Sequence, residues 1–142
     1  KEAQSFAISK EGWLKKQVQR FSRSKINSLH EKYSLKSKKE LKIRSDAIII
    51  RVKYLAEKHG FTFNKISTRL MKSRWGSCSY HNNISINICL SDLPQRLIDC
   101  VILHELMHTR IKNHSVYFWS ELNNLVDDLK GLRKELKEDY FL

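Results

Sequence analysis

The sequence predicts an α+β fold, a small antiparallel sheet packed on helices, one of which carries His104-Glu105-Leu106-Met107-His108. Three observations predict it. Apolar residues recur at helical spacing on both sides of a middle stretch, 61–90, where the spacing shifts towards two. Only four Gly and one Pro accompany 41% apolar residues, a composition that suits a compact, helix-rich globule. A chain of 142 residues is also long enough to bury a core without staples. A single domain is therefore expected over 1–142, basic and helical over 1–60, with strands, the motif helix and the last helices over 61–142.

Residues 11–34 read as a helix with Trp13, Leu14, Val18, Phe21, Leu29 and Tyr33 on an imperfect apolar stripe. Residues 35–44 carry charge without periodicity and read as a solvated connection. Ser45 or Asp46 can cap a second helix running to His59, with Ile48, Val52 and Leu55 inward and Gly60 as its stop. Its run of β-branched residues makes a strand the competing assignment. From Phe61 to Lys72 the pattern turns strand-like, and Ile84 to Leu90 alternates cleanly. With Arg74 to Ser79 and the turn-like His81-Asn82-Asn83 between them, the two strands are expected to pair antiparallel. Pro94 opens the next helix, anchored by Leu97, Ile98, Val101, Ile102 and Leu103 and running to about Arg110. Ser115 can cap a helix bearing Phe118, Trp119, Leu122, Leu125 and Val126, and 131–141 reads as a short charged helix.

On a helix, residues four apart lie about 40° apart around the axis, so His104 and His108 can reach one ion from the same face. Glu105 lies about 60° from His108, close enough to touch a water beside the ion and too displaced to be an obvious ligand. His114 is the natural third ligand, because six residues after His108 let the helix end and the chain turn back. The spacing is that of metzincins, with Ile111 where those proteins have a turn glycine. Two histidines at this spacing with a glutamate between them and a third nearby point to Zn2+ rather than to ordinary half-buried histidines. Three neutral imidazoles would leave a position for water and lower its pKa towards ~7, with Glu105 as general base. The chemistry is hydrolysis, most simply of a peptide bond.

The net charge is +12, unevenly placed: residues 1–74 hold 20 Lys/Arg against 6 Asp/Glu, and residues 75–142 hold 7 against 9. The basic N-terminal half could meet nucleic acid or another polyanion. Cys78, Cys89 and Cys100 cannot all pair within one chain, which suits a reducing, cytoplasmic setting. No apolar run approaches the ~20 residues of a membrane span, so no membrane partner is expected. Oligomeric state is not legible.

The order Arg74-Trp75-Gly76-Ser77-Cys78-Ser79, Ile84-Ser85-Ile86-Asn87, His104-Glu105-Leu106-Met107-His108, then Asn113-His114-Ser115-Val116-Tyr117-Phe118-Trp119 resembles the YgjP-like zinc metallopeptidase family, whose wider relatives include the SprT-like and WLM proteases. The likeness is specific from about Met71 to Trp119. It implies a minimal zincin-like domain acting on a peptide or protein, with His104, His108 and His114 as zinc ligands and Glu105 as acid/base. It also implies a segment before Trp13 that is longer in many members. Two other classes stay open: a nucleic-acid- or polyanion-binding module with a non-catalytic zinc, and a zinc hydrolase acting on a phosphoanhydride.

Overall fold

The computed structural model describes residues 26–139, with side chains to 137. Of the helix expected over 11–34, the described part is α1, residues 26–34, while Trp13, Leu14, Val18 and Phe21 lie outside the described residues. α1 buries Ile26 and Tyr33 completely. The Tyr33 hydroxyl donates to Asp92 Oδ1 at 2.6 Å, and Lys32 Nζ and Arg44 Nη1 reach the same carboxylate at 2.8 and 3.4 Å. Burial would raise the Asp92 carboxyl, but the bonds from Lys32 and Tyr33 outweigh it and hold it below its ordinary value. The same environment pushes the Tyr33 hydroxyl up to about 12, chiefly by burial.

α2 spans Lys38–His59, so it begins earlier than the expected Ser45 or Asp46 cap, and most of the expected connection over 35–44 is helix. Ser37 Oγ accepts from the Glu40 N–H at 3.1 Å, and Glu40 then pairs with Lys36 and Arg44 at i±4. The helix stops at Gly60, whose φ of 74° is left-handed. Phe61 N–H donates to Ala56 O at 2.8 Å and Gly60 N–H to Glu57 O at 3.3 Å, the paired bonds of a Schellman end. Ile48, Val52, Leu55 and Ala56 face the core. A bidentate pair, Arg51 to Asp99 at 2.8 and 2.7 Å, ties this helix to the next long one.

Among the described residues the sheet has three strands, β1 (Lys65–Arg69), β2 (Gly76–Cys78) and β3 (Asn83–Asn87), in the order β1-β3-β2. β1 and β3 are parallel, with Ile66 opposite Ile84 and Thr68 opposite Ile86, while β2 and β3 are antiparallel. The α+β class holds, but the expected antiparallel pairing of the two longer strands does not. The connection contains a strand of its own, so the chain reverses twice before β3 slots in beside β1. Ile84 and Ile86 are buried under the helices, and Ser67 and Ser85 lie on the other face. After β3 the alternation expected to Leu90 breaks: Ile88, Cys89 and Leu90 are all buried, in a 3-10 helix over Ile88–Asp92.

α3 spans Gln95–Met107 and buries Leu97, Val101, Ile102 and Leu106. It ends three residues short of the expected Arg110, and the chain turns at once. Ser115 caps α4 (Val116–Asn123), as expected, by accepting from Phe118 N–H at 3.3 Å. Leu125 and Val126 fall beyond its end. α5 spans Leu129–Asp139 and packs Leu129, Leu132 and Leu136 inward. Both α4 and α5 lie against α3, which thus stands between them and the sheet. The three cysteines are free, and no helix among the described residues is long and apolar enough to cross a membrane.

Candidate active site

His104 and Glu105 stand on the last turn of α3, and His108 caps its end with backbone still helical. Ending the helix there frees the turn that returns His114. Ile111, which replaces the metzincin glycine, contributes its carbonyl: His108 Nδ1 lies 2.8 Å from Ile111 O. A carbonyl can only accept, so Nδ1 carries the proton and Nε2 presents a lone pair. That Nε2 is 2.9 Å from His114 Nε2, which is 3.2 Å from His104 Nε2.

The donor atoms of His104, His108 and His114 all lie within 4.8 Å of one another, a group that could hold a metal ion. Imidazole nitrogens at ~2.0–2.1 Å from a tetrahedral ion stand roughly 3.4 Å apart, close to the 2.9 and 3.2 Å of the His108–His114 and His114–His104 pairs, and the fixed tautomer of His108 is the one that ligation needs. All three imidazoles are pushed towards the neutral form. His104 falls to about 3, by burial first and then by His108, His114 and Arg133. His108 and His114 also lie below their ordinary values, again chiefly through burial. Neutral imidazole is the ligand form.

Aromatic rings fix these side chains. Phe118 stacks on His108, with centroids 4.4 Å apart and planes 21° apart. Trp119 stacks on His114 at 5.5 Å and 18°. The sequence placed both aromatics on a core stripe, and Phe118 is fully buried, yet both also hold the triad.

Glu105 is 6% exposed, and no described residue donates a hydrogen bond to it. Burial pushes its carboxyl up to about 8, against a smaller pull from Arg74. It lies against β2 so closely that a Cβ on Gly76 would meet Glu105 Cγ at 3.0 Å and Oε2 at 3.2 Å. The constraint at Gly76 is one of space rather than of backbone angle: with a Cβ there, Glu105 would have to give by a few tenths of an ångström.

The stretch Arg74 to Cys78 supplies a wall of the site and, over Gly76–Cys78, the strand β2. Its residues line a cleft of about 700 Å³ together with His104, Glu105, His108 and His114. Asn87, fully buried, holds the approach: its Nδ2 donates to Met71 O at 3.0 Å and Arg74 O at 2.9 Å, and its Oδ1 accepts from Cys89 N–H at 3.1 Å. β3 is the central strand and β2 the edge beside α3, so the open edge at the cleft belongs to a strand too short for its periodicity to be read. The Cys78 thiol, though at the cleft, is pushed up by burial, which disfavours a thiolate.

Imidazoles from a helix end and from the turn after it, a carboxyl beside them and an open strand edge across the cleft are the parts of a small α+β metallopeptidase. The chain belongs to the YgjP-like metallopeptidase family, whose model matches residues 38–139. Among solved structures it is similar to the metallopeptidase zymogen abylysin of Pyrococcus abyssi, with 19% identity and a TM-score of 0.55 over 66% of this chain and 96% of that one. It is also similar to the metallopeptidase zymogen jannalysin of Methanocaldococcus jannaschii, with 24% identity and a TM-score of 0.47 over 68% and 92%. No curated protein matches it.

Proposed function

We propose that the chain is a zinc-dependent peptidase in which His104, His108 and His114 hold the ion and Glu105 is the general base. The observation that carries this reading is the convergence of three neutral imidazole nitrogens beside one buried carboxyl in an open cleft. A zinc ion there would supply a Lewis acid for the scissile carbonyl and bring the pKa of water to ~7. Glu105 accepts the proton that attacking water releases and returns it to the departing amine. At about 8 without an ion, its carboxyl moves back towards the carboxylate when a divalent charge sits in the triad. The peptide main chain pairs with the open edge of β2, which runs beside α3.

Three observations weigh against the other readings. Among the described residues the group that could hold a metal has three members, whereas a structural zinc usually has four protein ligands. No glycine-rich phosphate loop supports a phosphoanhydride substrate. In the described part of the basic half, Lys32, Lys36, Lys42, Arg44 and Arg51 pair with carboxylates, and for the remaining cations a polyanion partner rests on net charge alone.

The test is Glu105→Gln in zinc-reconstituted protein, assayed on an unfolded protein substrate. Glutamine keeps the size but cannot accept the proton, and a general base contributes about 10² to 10⁴-fold in rate. A loss in that range with zinc content and melting unchanged is expected. Cleavage at the parent rate removes Glu105 from the mechanism, and a parent that cleaves no peptide removes the peptidase reading.

A further inference from the structure

The wall of the cleft contributed by α5 is basic. Lys130, Arg133, Lys134 and Lys137 recur at i, i+3, i+4 and i+7, so they share one stripe of the helix, next to the stripe that buries Leu129, Leu132 and Leu136. All four line the cleft, joined by Arg74, and Glu105 is the single carboxyl among the described lining residues. The second half of the chain has only 7 Lys/Arg, and four of them stand on this wall. An overall balance near neutral therefore hides a concentrated field.

Glu135 turns away to Arg96, at 2.9 and 3.0 Å, and Lys130 and Lys134 form no ion pair or hydrogen bond with a described residue. Arg133 lies over Trp119, 3.6 Å from the ring centroid, and that indole is the one stacked on His114. A single indole therefore contacts both this guanidinium and a histidine of the triad. Cations along a concave, partly apolar wall focus their field into the cleft.

We infer that this wall is a subsite for a carboxylate of the substrate, making acidic peptides the class this chain prefers. The inference rests on the peptidase reading, because the cleft is taken as the place where a peptide lies along β2. A guanidinium held flat by an indole offers a fork that fits a carboxylate, and the lysines add charge without fixed geometry. The carboxylate can be an Asp or Glu side chain or a free C-terminus, which present the same chemistry.

The experiment uses one labelled peptide in four versions, with Glu or Gln at the flanking positions and a free or amidated C-terminus. Binding to the full chain carrying Glu105→Gln, with zinc added, is read by fluorescence anisotropy, and cleavage by the parent is read separately. The charged versions are expected to bind about five- to tenfold tighter than the neutral one at low salt, since each exposed ion pair contributes only a few-fold. The advantage should shrink as salt rises and collapse in Lys130→Gln/Arg133→Gln/Lys134→Gln, with the single Lys134→Gln giving a smaller loss in the same direction. Whichever carboxylate keeps the advantage is the source. Equal binding of charged and neutral versions, or an advantage untouched by these substitutions, overturns the subsite. So does displacement of the peptide by a single-stranded oligonucleotide under conditions where acidic peptides fail to compete. Cleavage with no acidic preference removes the subsite and leaves the peptidase reading, whereas acidic peptides that bind as expected and are never cleaved do the reverse.

Discussion

Glu105 and His104 are neighbours whose burial works in opposite directions with pH. Glu105 is raised from 4.5 to about 8, so the stability it contributes is complete below its unfolded value and is lost as pH climbs through about 8. His104 is lowered from 6.5 to about 3, so its contribution is complete above its unfolded value and is lost as pH falls towards 3. Metal-free protein should therefore weaken on both sides, and Glu105→Gln should remove the alkaline limb. At about 1.4 kcal/mol per pKa unit the limb is worth a few kcal/mol. Denaturant unfolding in chelator between about pH 5 and 8 checks this, and an unchanged slope in the variant would mean that Glu105 does not titrate there. The histidines and the glutamate were legible because a helix converts sequence spacing into angle. The Nδ1 bond of His108 to the Ile111 carbonyl was not, because a backbone acceptor leaves no mark in residue identity.

At the scale of elements, the cleft depends on β2, the one strand the sequence concealed. Three residues carry no usable periodicity, and Gly76 opens the strand where a Cβ would crowd Glu105. Gly76→Ala should displace the carboxyl by a few tenths of an ångström and lower kcat about 10- to 100-fold, with zinc content kept. Zinc-loaded kinetics at saturating substrate check it, and a parent-like kcat would show that Glu105 tolerates the shift. Asn87→Ala should act on stability instead, because it removes the donor of the part-buried bonds to the Met71 and Arg74 carbonyls, at about 0.5–1.5 kcal/mol for each bond lost. A shift in denaturant midpoint reads this, and no shift would mean that water or a rearranged loop replaces the amide. The early start of α2 did have a signal, Ser37 three residues before Glu40, but the lysines around it obscured the helical period. The expectation that the two longer strands pair antiparallel followed from overlooking β2, since an even number of reversals restores the direction and makes β1 and β3 parallel.

Across the whole molecule, the site exists because distant segments converge. α2 and α3 are locked by Arg51 and Asp99, and Arg110 Nη2 reaches back to Gly60 O at 2.6 Å, so the turn that carries His114 is braced against the end of α2. The sequence located the positive field in residues 1–74, by counting, whereas the cleft takes most of its charge from α5, where i, i+3, i+4 spacing of cations was the available signal. His114 is the proposed ligand that depends most on this assembly, because it comes from outside α3, is exposed, and is held by Trp119 and by the α4 cap at Ser115. The most direct measurement is zinc per chain and cleavage rate on the same preparation, for the parent and for His114→Ala. The account predicts about one ion per chain and peptide cleavage in the parent, with both lost together in the variant while its α-helical spectrum is kept. A His114→Ala protein that holds zinc and cleaves like the parent would contradict the three-histidine centre.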